Sequence, residues 1–171
     1  MDHLQRHFSS ALTVGSKFFP DVQQAVMERA ETELRRKFHE AHDNGQPAGR
    51  VALTLAFPHF IGSDALVALE EHDDKKHYRI VRDAGTSFEA VVTVIETDAI
   101  PLTRIATVIA GPDEKSSDDW GIYTMFPGAS APPFPYKTQP EDDRKVSEAF
   151  WRHHGFLATR DEIAAHPRAN T

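Results

Sequence analysis

Cysteine is absent from all 171 residues. That removes a disulfide framework, a thiol nucleophile and cysteine-ligated zinc together, and leaves the fold to stand on packing. Positive charge is also in short supply: 19 Lys and Arg against 26 Asp and Glu give a formal charge of -7 and a pI near 5.8. No global basic field draws the chain to nucleic acid or an anionic membrane, although a local basic pocket is compatible with this balance. No apolar run approaches the roughly 20 residues that span a bilayer. The start, MDHLQRHFSSALTV, lacks a basic segment followed by about 7 to 15 apolar residues. We therefore expect no membrane partner and a cytoplasmic location, or delivery into a target cell without a classical signal peptide. The phosphate-cradling loops G-x-G-x-x-G and G-x-x-x-x-G-K-[ST] are missing, so no cofactor is expected.

What is present is ordinary globular material, 40% hydrophobic and 26% charged, which suggests a single domain over 1–171. After an N-terminal segment (1–19), Val22, Val26, Ala30, Leu34 and Phe38 recur every fourth residue. This stripe predicts an amphipathic helix over 20–44, opened by Pro20 and stopped by Asn44-Gly45. Short β-branched and apolar runs fill 50–127, from Val51 to Phe126, with connections too short for crossover helices. A proline-rich segment (128–140) pinned by Phe134 and Tyr136, a helix over 141–155 with Val146, Ala149 and Phe150 on one face, and a frayed tail (156–171) complete the reading. The expected class is α+β: a long N-terminal helix and a C-terminal helix packed on a twisted, mostly antiparallel sheet of about six strands.

Histidines are the first candidates for chemistry. His39 and His42 stand three apart in FHEAH, whereas H-E-x-x-H needs i, i+4, so with Asp43 they make a weak metal set and no metal site is expected. His153-His154 suits a helix end. His59, in FPHFIGSDALV beside Gly62 and Ser63, lies in a tight connection between two strands, where a rigid backbone presents a ring as a general base. Arg104 enters the apolar run RIATVIAG with the fork geometry for phosphate, or as an edge-protecting charge. Arg79 and Arg82 flank Ile80, and Arg79 shares a face with His77. In WGIYTMFPG, residues 120–128, alternation sets Ile122, Thr124 and Phe126 on one face and Tyr123 and Met125 on the other.

The run VVTVIETDAIPLTRIATVIAG, then WGIYTMFPG with its Thr124-Met125-Phe126-Pro127 ending, and the helix EAFWRHHGF together resemble the toxin domains of the barnase, EndoU, colicin and RelE type over about residues 50–155. That resemblance implies metal-independent RNA cleavage through a 2′,3′-cyclic phosphate, with RNA, such as one tRNA loop, as the partner and an immunity protein as a second one. Carried onto this chain it implies His59 as base or acid, Arg104 as phosphate clamp and Thr124 as the hydroxyl donor. Tyr123, Ser63 and Arg79 would then bind substrate. A second catalytic histidine has no match here. The alternative is a noncatalytic protein-binding module of immunity, inhibitor or adaptor type, with APPFPY and the acidic loop from Asp113 to Asp119 as its contact surfaces.

Overall fold

The computed structural model describes residues 14–45, 49–83, 89–113 and 116–166. In chain order the strands are β1 (Lys17–Phe18), β2 (Val51–Ala56), β3 (Gly62–Ser63), β4 (Leu66–Ala68), β5 (His77–Asp83), β6 (Glu89–Glu96), β7 (Leu102–Thr103), β8 (Ile105–Asp113), β9 (Ser116–Pro127) and β10 (His154–Ala158). The helices are α1 (Gln23–Asp43), α2 (Glu141–His153) and α3 (Arg160–Ala164), with 3₁₀ turns at Pro20–Val22 and Leu69–His72. The α+β class holds, but the strands form three sheets, β1-β3-β7, β4-β10-β6-β5 and β2-β8-β9, where one sheet of about six strands was expected. The chain, read above as one domain, divides into two compact units: 17–63 with 102–130 among the described residues, and 14–16 with 64–101 and 131–166.

The first unit follows from the helical stripe. Val22, Val26, Ala30 and Leu34 are buried with Leu55, Phe57, Ala106, Val108 and Met125 in one cluster. Each fully buried Val, Leu or Ile of this kind contributes about 1.5–3 kcal/mol. The N-terminal end of α1 has no side-chain cap, so packing rather than N-capping holds it. At its C-terminus the Asn44 amide donates to the Glu40 carbonyl at 2.7 Å and the Gly45 N–H to the His42 carbonyl at 3.0 Å, the stop expected at Asn44-Gly45. Strands β2, β8 and β9 run antiparallel, with Ala56 opposite Ile105, Val108 opposite Met125 and Ala106 opposite Pro127.

A β-bulge overturns the expected alternation in WGIYTMFPG. Ile109 pairs with Thr124 but Ala110 pairs with Ile122, so Tyr123 is an extra residue on β9. A bulge breaks the period of two. Ile122 and Met125 therefore share the face packed on α1, and Thr124 belongs to the opposite face. Tyr123 lies against Gly111, where an added Cβ would sit 2.7 Å from the phenol oxygen. Its hydroxyl donates to the Pro112 carbonyl at 2.7 Å.

The second unit closes on a strand that sequence periodicity did not reveal. β10 lies between β4, its antiparallel neighbour, and β6, its parallel one, with Phe156 opposite both Leu66 and Val94. Parallel pairing needs a long connection, and the stretch from Glu96 to His154 provides it. Ile80, Val92, Val94, Ile95, Phe156, Leu157 and Ile163 form the core.

Two further expectations are corrected in this unit. The tail, expected to fray from Thr159, holds α3 at Arg160–Ala164, begun by a capping box in which the Glu162 carboxylate accepts from the Thr159 N–H at 2.8 Å and the Thr159 hydroxyl accepts from the Glu162 N–H. On α2, Val146 is 63% exposed while Ser147 is buried, because Trp151 turns the helix toward the proline-rich segment. The Trp151 indole N–H donates to the carbonyls of Pro132 (3.1 Å) and Pro133 (3.3 Å), and Phe134 stacks on its ring at 4.2 Å. Ser147 in turn accepts from the Gln139 amide at 2.9 Å.

Candidate functional site

The connection from β2 to β3 is tied at both ends. The Phe57 N–H donates to the Arg104 carbonyl at 2.8 Å, and the Ile61 N–H donates to the Thr103 carbonyl at 2.9 Å. Phe57 and Ile61 are also buried. Pro58, His59 and Phe60 between them are exposed, thrown outward as a short clip over the Thr103–Arg104 peptide. Gly62 continues the chain into β3, and its missing side chain is required: an added Cβ would meet the Lys17 carbonyl oxygen at 2.2 Å.

Aromatic rings and arginines alternate across this clip. The Arg104 guanidinium lies over the Phe60 ring at 4.6 Å, Arg29 of α1 lies 5.9 Å from the centroid of the Phe57 ring, and His59 meets Phe57 edge-on at 6.5 Å. Neither Arg29 nor Arg104 is ion-paired with a described residue, in contrast to Arg36 on the same helix, which bridges Glu33 and Glu40. Those two carboxylates hold the Arg36 guanidinium above its ordinary pKa, the hydrogen bond it donates to Glu33 being the largest cause. A guanidinium resting on a ring face keeps its in-plane N–H donors for an anion, and it is weakly hydrated. Phe60 is 44% exposed, a large apolar ring partly open to solvent beside Arg104.

Sequence reasoning named His59 and Arg104, and the structure sets them at one loop–strand junction. Ser63 stays near it on β3, opposite Lys17 and Leu102. Thr124 does not join them. It stands opposite Ile109, five positions along β8 from Arg104, roughly 17 Å away at ~3.4 Å per residue. Tyr123 lies beyond it at the bulge, and Arg79 is on β5 in the other unit. The reasoning missed Arg29, Phe57 and Phe60. Phe60 carried a signal, a large apolar side chain set in the polar connection PHFIGSD; Arg29 had none, being one polar residue on the flank of a helical stripe.

The other candidates are structural or solvated. His42 sits 3.8 Å from Asp43 with both side chains mostly in water. The His154 ring stacks on Phe150 at 3.8 Å and shares a 2.9 Å hydrogen bond with the Phe150 carbonyl. The imidazole of His77 lies 3.1 Å from the His72 carbonyl. Among the described residues no three His, Asp or Glu side chains converge, and no described helix is long and apolar enough to cross a membrane. Asp113 to Asp119, proposed above as an acidic contact loop, lies outside the described side chains. Comparisons with protein-family models, curated proteins and solved structures found no match.

Proposed function

We propose that the first unit cleaves single-stranded RNA without a metal, with His59 and Arg104 as its working pair. The observation that carries this reading is the clip itself: a histidine and an arginine with no carboxylate partner among the described residues, joined through two backbone hydrogen bonds and flanked by an exposed phenylalanine. His59 takes the proton from a ribose 2′-hydroxyl. The oxygen attacks the adjacent phosphorus, the bond to the 5′-oxygen breaks, that oxygen takes a proton from water, and the hydroxide left takes the proton held by His59, which restores the base. Arg104 and Arg29 supply charge to the phosphorane oxygens, and Phe60 stacks a neighbouring base. Thr103 or Ser63 is better placed than Thr124 to give a hydroxyl.

The test is cleavage of a tRNA pool in EDTA by purified protein, with end-group analysis for a 2′,3′-cyclic phosphate. His59→Ala and Arg104→Ala should each lose about 10² or more in rate with unchanged circular dichroism. No cleavage by the wild-type protein sinks the reading.

A noncatalytic binding module is the second reading, and one observation favours it: Leu102 (51% exposed) and Ile105 (40% exposed) flank Arg104, which suits a protein surface. The proline-rich strip contributes less to it, since Phe134 is stacked on Trp151, leaving Pro133 and Tyr136 as the exposed residues of APPFPY.

A further inference from the structure

Among the described residues no strand pairs with the outer edge of β2, and its hydrogen-bond parity is determined. The Phe57 N–H to Arg104 carbonyl bond continues the β2–β8 register, so Val51, Leu53 and Leu55 exchange bonds with Ala110, Val108 and Ala106. In an antiparallel ladder the alternate residues point their N–H and C=O the other way. Those residues are Ala52, Thr54 and Ala56, all exposed. No described backbone group outside β8 bonds to them.

Free edges are normally blunted by charge, proline or a bulge. β9, the far edge of the same sheet, carries the Tyr123 bulge and Pro127. β5, an edge in the other unit, reads HYRIVRD. β2 reads VALTLA, with none of these devices and no charge between Val51 and Pro58.

We infer that β2 pairs antiparallel with β2 of a second copy of this chain, about a two-fold axis at Thr54. Thr54 then faces Thr54, and Ala52 faces Ala56 of the second copy, which uses every outward group in about six hydrogen bonds, two per pair. A shift by one residue sets outward groups against inward ones, and a shift by two leaves a pair unmade. On the core side Leu53 meets Leu55 of the second copy. The two β8 strands stand roughly 14 Å apart, three spacings of ~4.8 Å. This leaves room for both α1 helices, whose packed axes need only about 8–10 Å. The same register sets Arg50 of the second copy opposite Pro58, beside His59, so each copy lends a cation to the other's clip.

Sedimentation over a concentration series should show a dimer for the wild type. Thr54→Lys places two ammonium groups across the axis at an exposed position, and should give a monomer with an unchanged circular dichroism spectrum. Because the chain holds no cysteine, Thr54→Cys is a clean reporter. Its partner Cα lies about 5.5 Å away in this register, inside the disulfide range of about 4.4–6.8 Å, so oxidation should give a covalent dimer. Ala52→Cys should not, its own counterpart being roughly 14 Å off. A wild type that stays monomeric, a dimer that survives Thr54→Lys, or equal crosslinking at 52 and 54 overturns the inference. The cysteine pair decides the matter even if Thr54→Lys fails to fold.

Discussion

The two units solve the same packing problem by different routes. In the first, a helix of 21 residues with no N-terminal side-chain cap lies on three strands, and one apolar stripe every fourth residue holds it there. In the second, a helix of five residues is far too short to persist by propagation, and a reciprocal capping box starts it. The first sheet is built around the β8–β9 hairpin. The second depends on β10, brought from far along the chain to lie between β4 and β6. Both units close on an apolar core; a long periodic helix packs in the first, whereas a short capped helix and a late strand complete the second.

This contrast can be broken at graded cost. Ile80→Ala in the second core and Met125→Ala in the first, both fully buried, should each cost about 2–5 kcal/mol. Hydrogen exchange should show β5, β6 and β10 loosening in the former, and β2, β8 and β9 in the latter; equal loosening everywhere would erase the distinction. Next comes Thr107→Val. Thr107 is buried, and its hydroxyl donates to the Gly128 carbonyl at 2.8 Å, so valine leaves that acceptor unbonded for about 1–3 kcal/mol in denaturant titration. Thr159→Ala removes the cap of α3 for about 0.5–2 kcal/mol, whereas α1 has no N-terminal side-chain cap to remove.

The smallest effect concerns pH in the second unit. The Tyr78 hydroxyl donates to Glu96 at 2.8 Å, and Arg160 adds an ion pair at 2.8 Å. The hydrogen bond from Tyr78, then that from Arg160, hold the Glu96 carboxyl below its ordinary range. A lowered carboxylate pKa adds stability above the unfolded-state value, which is lost as pH falls through the folded-state value. The melting difference between wild type and Glu96→Gln should therefore be largest at neutral pH and close on acidification. A difference that persists in acid removes the carboxylate from the account.

What was legible in the chain was local. The stripe from Val22 to Leu34, the stop at Asn44-Gly45 and the alternating runs of β2, β5, β6 and β8 each state their own period, and His59 and Arg104 stood out as polar residues in rigid surroundings. Features that arise between distant segments were not legible. One extra residue at Tyr123 reverses which side chains face α1, and no local pattern announces a bulge. GFLA after His154 is a short apolar run until β4 and β6 flank it. Val146, Ala149 and Phe150 make a plausible helical face, but Trp151 has carbonyls to reach and rotates α2 around that need. Thr124 was drawn toward the site by a motif ending; counting register along β8 separates it.

The position of β10 has a consequence for how the molecule is made. Chains emerge from the ribosome N-terminus first, at about 5–20 residues per second. Every strand of the first unit has been synthesised by Pro127, so its sheet is free to form while later residues are still being added. The second sheet has β4, β5 and β6 waiting without their central strand until Ala158 is released. During that interval β4 and β6 lack the strand that lies between them in the finished sheet, so this half of the protein completes its sheet last.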